Sequence, residues 1–213
     1  MSVKGPVVHV VDDDASFLKA ISRLLRAAGF EVATYASAKE FLGRQPLQGA
    51  GCVLCDLSMP EMDGLALQQA LAASANPLPI VFLSGHAEVP QAVRAMRAGA
   101  EDFLTKRSDL GELMRAVERA LRHDGERREL QARRLGLRTR FDALTDRERQ
   151  VLAAVVRGRL TKQIADQLGI HERTVKLHRT SITAKLGVRS VAELTRLTQE
   201  AGFETDAAPA SPG

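Results

Sequence analysis

No stretch of the 213-residue sequence approaches the roughly 18 consecutive apolar residues of a membrane-spanning helix. The N-terminus also lacks a charged-then-apolar run closed by small residues, the mark of a secretory signal. These absences set the expectation of a cytoplasmic protein with no membrane partner. Cysteine is scarce too: Cys52 and Cys55 are the only two, spaced as C-x-x-C. A redox or metal site is disfavoured, because both sit in the apolar run Gly51-Cys-Val-Leu-Cys-Asp-Leu57. A strand there sends them to opposite faces about 10 Å apart, beyond the ~7 Å between Cα atoms that a disulfide spans. Core packing is their expected role.

What is present is a globular composition, 45% hydrophobic and 26% charged, long enough for two modest domains. The charge is divided unevenly. Residues 1–120 carry 12 basic against 14 acidic side chains, whereas residues 121–213 carry 18 against 12. The basic half points to a polyanionic partner, since each Lys or Arg set against a phosphate releases condensed counterions.

Up to residue 121, short β-rich runs at 7–12, 31–35, 52–57, 80–84 and 102–105 alternate with helical patterns. The first, third and fourth runs are almost wholly apolar, which implies burial on both faces and a parallel sheet between helices. The expectation is a doubly wound, flavodoxin-like α/β domain with five parallel strands. Ligands of such folds bind at the carboxyl ends of the strands, where strand order reverses. The polar residues lie there: Asp12-Asp13-Asp14 after the first strand, Asp56 in the third, Ser84 in the fourth and Lys106 after the fifth. Crowded carboxylates need a cation, and an all-oxygen site that keeps open positions suits Mg²⁺. Asp56 could then act as a nucleophile toward a phosphoryl group, with Lys106 offsetting charge and Ser84 donating a hydrogen bond. Acids at loop starts also cap helices, and Asp14 fits that role alone.

These residues make the first 120 positions resemble the receiver domain of response regulators, most similar to the FixJ/NarL branch. The motifs are Asp12-Asp13, Asp-Leu-Ser-Met-Pro from Asp56 with Gly64 beyond, Ser-Gly-His at 84–86, Ala-Met-Arg-Ala-Gly-Ala at 95–100 and Asp-Phe-Leu-Thr-Lys at 102–106. The resemblance implies that Asp12, Asp13, Asp56 and the Ser58 carbonyl hold Mg²⁺, and that Asp56 accepts a phosphoryl group from a histidine kinase. It also implies that Ser84 and Phe103 act as a switch that changes a dimerising face, although periodicity alone favours a plain core aromatic at Phe103. Arg107 stands where the family has proline. Without that proline a trans bond and a shifted loop are expected, and the aim of Lys106 is left open.

Residues 122–143 hold many arginines and few apolar residues, so they read as a solvated helical linker. Leu130 and Leu137, one heptad apart, would permit a short coiled-coil contact. Beyond it, Thr145-Asp-Arg-Glu148 and Ser190-Val-Ala-Glu193 form capping boxes. Helices are expected from Asp146, over 162–168 with Thr161 as its start, over 172–186 and from Ser190, giving an all-α helix-turn-helix domain over 144–201. The Ala/Pro-rich tail, 202–213, is expected to be disordered.

On the 172–186 helix, Val175, Ile182 and Leu186 fall on one side, opposite Arg173, Leu177, Thr180 and Ala184, with Lys176 on the flank. Helix geometry alone leaves a groove-reading helix and an ordinary bundle helix open. The segment also resembles the LuxR-type DNA-binding domain through Leu-Thr-x-Arg-Glu-Arg at 144–149, Lys-Gln-Ile-Ala at 162–165, Arg-Thr-Val-Lys-Leu-His-Arg at 173–179 and Lys-Leu-Gly-Val-Arg-Ser at 185–190. That resemblance implies base contacts from Lys176, Leu177 and Thr180, beside Arg173 on the same face. It implies phosphate contacts from Lys162, Thr174, His178, Arg179 and Lys185, and dimerisation through the helix after Ser190. His171 stands at the usual serine cap, so a weaker cap is expected.

Together these features predict a two-component response regulator that binds double-stranded DNA, dimerising on phosphorylation. Two other readings are weighed. A Mg²⁺-dependent phosphohydrolase would carry an acid two residues past its nucleophile, where this sequence has Ser58. A phosphorylation-independent DNA-binding regulator with a vestigial receiver remains the alternative.

Overall fold

The structure, a computed structural model, describes residues 5–44, 49–85 and 89–202. The chain divides into two compact units, one ending at Arg128 and the other starting at Glu129. Five strands build the first: β1 (Val7–Val11), β2 (Glu31–Tyr35), β3 (Gly51–Asp56), β4 (Ile80–Ser84) and β5 (Asp102–Thr105). All pair in parallel in the order β2-β1-β3-β4-β5. Strand order therefore reverses between β1 and β3. The sequence-expected strands match within a residue. Asp12 falls just past β1, where its amide donates to the Tyr35 carbonyl at 3.1 Å.

The helices are α1 (Ala15–Ala27), α2 (Ala38–Leu42), α3 (Gly64–Ala72), α4 (Val89–Arg97) and α5 (Leu110–Asp142). Side chains alternate across the strands, and each face finds its own helices. Val8, Val10, Cys52, Leu54 and Val81 pack with Ile21 and Leu25 of α1 and with Leu113, Ala116 and Val117 of α5. Val11, Val53, Cys55 and Phe82 pack with Phe41 of α2, Leu67 and Leu71 of α3 and Ala95 of α4. The two cysteines thus belong to different cores, as their spacing requires. Burial pushes the Cys52 thiol up to about 12 and the Cys55 thiol well above its ordinary value, which leaves both inert.

Burial also acts on His9, whose Nδ1 lies 3.1 Å from the Tyr35 hydroxyl and whose ring packs on Phe41. Desolvation lowers its pKa from 6.5 to about 4. A histidine held neutral in the folded state contributes fully above pH 6.5, and the contribution is lost as pH falls toward 4, by about 3 kcal/mol in all. Urea unfolding of the first unit should therefore weaken between pH 6.5 and 4. His9→Gln should flatten that slope; an identical slope in the variant would exclude His9 as its source.

The second unit holds the end of α5, then α6 (Asp146–Val156), α7 (Thr161–Leu168), α8 (Glu172–Leu186) and α9 (Val191–Glu200). Its core joins Phe141, Leu144, Val151, Leu152, Ile164, Val175, Ile182, Leu186 and Leu194. Among the described residues no helix is long and apolar enough to cross a membrane.

Several expectations need correction. The 122–143 segment is helical, but it is not a solvated linker throughout. Asp124 is fully buried in the first unit, and Leu137 and Phe141 are buried in the second. Leu130 is exposed whereas Leu137 is buried, so the two are not left open together for a coiled-coil contact. Thr161 does not precede α7. It is the first helical residue; Leu160 is the cap, and its amide donates to Gln163 Oε1 at 2.9 Å. The Thr161 hydroxyl instead accepts from Arg179. At α9 the Ser190 hydroxyl accepts from the Glu193 amide, but the Glu193 carboxylate reaches past Ser190 to the Arg189 amide at 2.7 Å. Of the segments named in the sequence, His86 and the tail beyond Gly202 lie outside the described residues.

Candidate functional site

The reversal between β1 and β3 leaves a crevice at their carboxyl ends. Carboxylate oxygens of Asp12, Asp13 and Asp56 lie within 4.8 Å of one another there. Asp12 and Asp56 are buried and Asp13 is exposed. Backbone amides aim the two buried groups: Asp12 Oδ1 accepts from the Asp14 amide at 2.9 Å, and Asp56 Oδ1 from the Leu57 amide at 2.8 Å. Their second oxygens face Lys106, whose Nζ is 2.6 Å from Asp12 Oδ2 and 3.3 Å from Asp56 Oδ2. Burial pushes the Asp12 carboxyl up against the pull of Lys106. Burial works against the charged Lys106, yet Asp12 and Asp56 outweigh it and hold the ammonium protonated.

With Arg107 following it, Lys106 still points at Asp12 and Asp56, which answers the question of aim that the sequence left open. The Lys106 amide donates to the Ser84 carbonyl at 2.9 Å, which continues the β4–β5 ladder one residue past β5 and fixes where the side chain starts. Ser84 is buried at the end of β4. Phe103 is half-buried, its ring 6.1 Å from that of Phe82. Ser58 is exposed in the loop that follows Asp56. Asp14 stands apart as the cap of α1, accepting from the Ser16 and Phe17 amides.

Gly64 shows how closely this loop is drawn in. It opens α3, and a Cβ there would lie 2.6 Å from the Asp56 carbonyl and 2.8 Å from the Phe82 ring, so glycine alone fits. The donor set is all oxygen and mutually close, with one exposed member, which fits a hard divalent cation such as Mg²⁺. Phe17 is the residue that sequence reading missed. Lys106 Nζ lies over its ring, 4.5 Å from the centroid.

In the second unit α7 and α8 form the helix-turn-helix, with Gly169 in the left-handed conformation at φ 62° ending α7. Val175, Ile182 and Leu186 face the core as the helical spacing requires. Arg173, Lys176, Leu177 and Thr180 are exposed, as is Lys162 on α7, while Thr174, His178 and Arg179 are half-buried. Leu177 is 65% exposed, a large apolar side chain between Arg173 and Thr180 on that face. His171 caps α8 without a side-chain hydrogen bond, matching the weak cap expected.

Lys185 also serves inside the unit. Its ammonium donates to Glu148 Oε2 at 2.7 Å and to the Ala143 carbonyl at 3.1 Å, so two of its three hydrogens serve the unit's own packing. Glu148, read from the sequence as a cap, is the buried centre of that network.

Residues 8–118 match the family model described as response regulator receiver domain, and residues 142–198 match bacterial regulatory proteins, luxR family. The response regulator protein TodT of Pseudomonas putida is 41% identical over 93% of this chain and 88% of its own. The transcriptional regulatory protein FixJ of Bradyrhizobium diazoefficiens is 36% identical over 97% of this chain and all of its own. Among solved structures, the response regulator StyR aligns over 92% of this chain and 100% of its own, with 44% identity and a TM-score of 0.86.

Proposed function

The chain belongs to the two-component response regulators that join a receiver domain to a LuxR-family DNA-binding domain and regulate transcription, and we propose that Asp56 is its phosphoacceptor and α8 its DNA-reading helix. The observation that carries this reading is the convergence of Asp12, Asp13, Asp56 and Lys106 at the strand-order reversal.

A sensor histidine kinase would supply the group as phosphohistidine. An Asp56 oxygen attacks the phosphorus, the P–N bond breaks, an acyl phosphate forms, and the freed imidazole takes up a proton. Asp12, Asp13, Asp56 and the Ser58 carbonyl would hold Mg²⁺, which when bound offsets charge on the phosphoryl oxygens. Lys106 adds a second positive charge beside Asp12 and Asp56. Ser84, buried beside the site, and Phe103, half-buried on β5, are suited to carry the change to the α4–β5 face, through which the phosphorylated chain would dimerise.

Toward DNA, Lys176, Thr180 and Arg173 would hydrogen-bond to base edges and Leu177 would meet a thymine methyl. Lys162, Thr174, His178 and Arg179 would bind phosphates. Lys185 has one hydrogen left for such a contact and belongs first to Glu148. A DNA partner argues for a cytoplasmic location.

The test is phosphoryl incorporation from acetyl phosphate with Mg²⁺, with DNA retention and oligomeric state followed in the same samples. Labelling is expected in the wild type and absent in Asp56→Ala, with dimerisation and DNA affinity rising on phosphorylation. DNA binding without any labelling would leave a vestigial receiver as the better reading.

A further inference from the structure

Lysine carries its charge on a flexible four-carbon stem, so its aim needs several constraints. Two of them are the Asp12 and Asp56 carboxylates, and a third is the hydrogen bond from the Lys106 amide to the Ser84 carbonyl. Arg107 supplies no ring to stiffen the loop after it. A further constraint comes from α1, where the Phe17 ring lies under the ammonium, 4.5 Å from Nζ to the centroid.

The placement of that ring is tied to the pocket. Asp12 Oδ1 accepts from the Asp14 amide, and Asp14 Oδ1 in turn accepts from the Phe17 amide at 3.1 Å. The ring also packs partly buried against the core beneath α1 and α5. An aromatic face attracts an ammonium but takes no conventional hydrogen bond from it. Phe17 can therefore hold Lys106 without drawing its N–H groups from the oxygens.

We infer that Phe17 is a positioning residue for phosphoryl transfer: its ring confines the Lys106 ammonium to the space between Asp12 and Asp56, where the incoming phosphoryl charge develops. The inference rests on the reading of Asp56 as phosphoacceptor. Phe17 touches no reacting atom and acts through Lys106 alone.

Two substitutions separate this role from packing. Phe17→Leu keeps an apolar side chain and removes the aromatic face, whereas Phe17→Tyr keeps the face. Labelling rates of the full-length protein are measured against acetyl phosphate concentration with Mg²⁺, alongside unfolding midpoints. Phe17→Leu should lower the maximal rate by roughly two- to fivefold, the range one cation–π contact supports, with the half-saturating donor concentration unchanged. Phe17→Tyr should restore the rate. In a Lys106→Met background, Phe17→Leu should produce no further loss.

Equal slowing by Phe17→Leu in both backgrounds would overturn the inference, because a packing effect does not depend on the ammonium. A Phe17→Leu rate equal to that of the labelled wild type would overturn it alone and leave the Asp56 reading standing. A wild type that takes no label would remove both.

Discussion

Glu148→Ala should lower the stability of the DNA-binding unit by about 3 kcal/mol, the low end of the cost of breaking a buried ion pair. The side chain is 4% exposed and serves three partners. Oε2 accepts from the Thr145 amide at 2.7 Å and from Lys185 Nζ at 2.7 Å, and Oε1 accepts from the Ser181 hydroxyl at 2.6 Å. One carboxylate thus caps α6 and joins it to α8, the helix that carries the candidate base contacts. Alanine leaves an amide and a hydroxyl without their acceptor. Lys185 is a third exposed and can turn to water, which keeps the cost from rising further. Thermal unfolding of the full chain checks this: the transition of the second unit should move down while that of the first holds. A second-unit midpoint that does not move would refute it.

The same network sets an acid dependence. The hydrogen bonds from Lys185, Ser181 and the Thr145 amide pull the Glu148 pKa from 4.5 to about 2. A carboxylate with a depressed folded pKa contributes fully above pH 4.5, and its contribution is lost as pH falls through 2. The full shift is worth ~3 kcal/mol, and screening at the partly exposed Lys185 reduces it to about 2 kcal/mol. Glu148→Gln should therefore unfold with a flatter pH dependence between 4.5 and 2.

How much of this was legible in the sequence depended on the range of the interaction. The five strands were readable because residues such as Val53, Leu54 and Cys55 are apolar on both faces, a local pattern that only a covered sheet satisfies. The pocket was readable because its carboxylates stand at strand ends that one topology brings together. Glu148 was half readable: its capping box is local, but its partners Ser181 and Lys185 are 33 and 37 residues away. Phe17 carried no signal, since a half-buried aromatic in an amphipathic helix looks like any core residue. The aim of Lys106 was left open by Arg107 because it is decided by a long-range contact, the β-ladder bond at Lys106, which fixes the backbone before Arg107 is reached. Asp124 was hidden most fully, among arginines in a stretch whose composition reads as solvent-facing.

That residue makes the second large prediction: Asp124→Ala should cost the receiver unit about 3 kcal/mol. Asp124 is 0% exposed. Oδ2 accepts from the Gly51 amide at 2.9 Å and from Arg128 Nε at 2.6 Å, and Oδ1 pairs with Arg127. The Gly51 contact pins α5 to the start of β3, at a position where a Cβ would lie 2.5 Å from the Val7 carbonyl. Alanine at 124 leaves the buried Gly51 amide without an acceptor and unpairs two guanidinium groups at once. Arg127→Ala or Arg128→Ala alone removes one partially exposed member and should cost about 1 kcal/mol. Asp124→Asn preserves the shape but turns a donor toward either an amide or an arginine, so it should behave more like alanine than like the wild type. Gly51 and Asp56 begin and end β3, five steps of about 3.3 Å apart. The substitution therefore acts at the far end of the sheet from the candidate phosphoacceptor. Urea unfolding of the receiver should shift to lower denaturant, while labelling by acetyl phosphate, measured well below the transition, should keep its wild-type rate. Loss of labelling without loss of stability would mean that the end of α5 acts on the pocket through the sheet and does not merely anchor the helix.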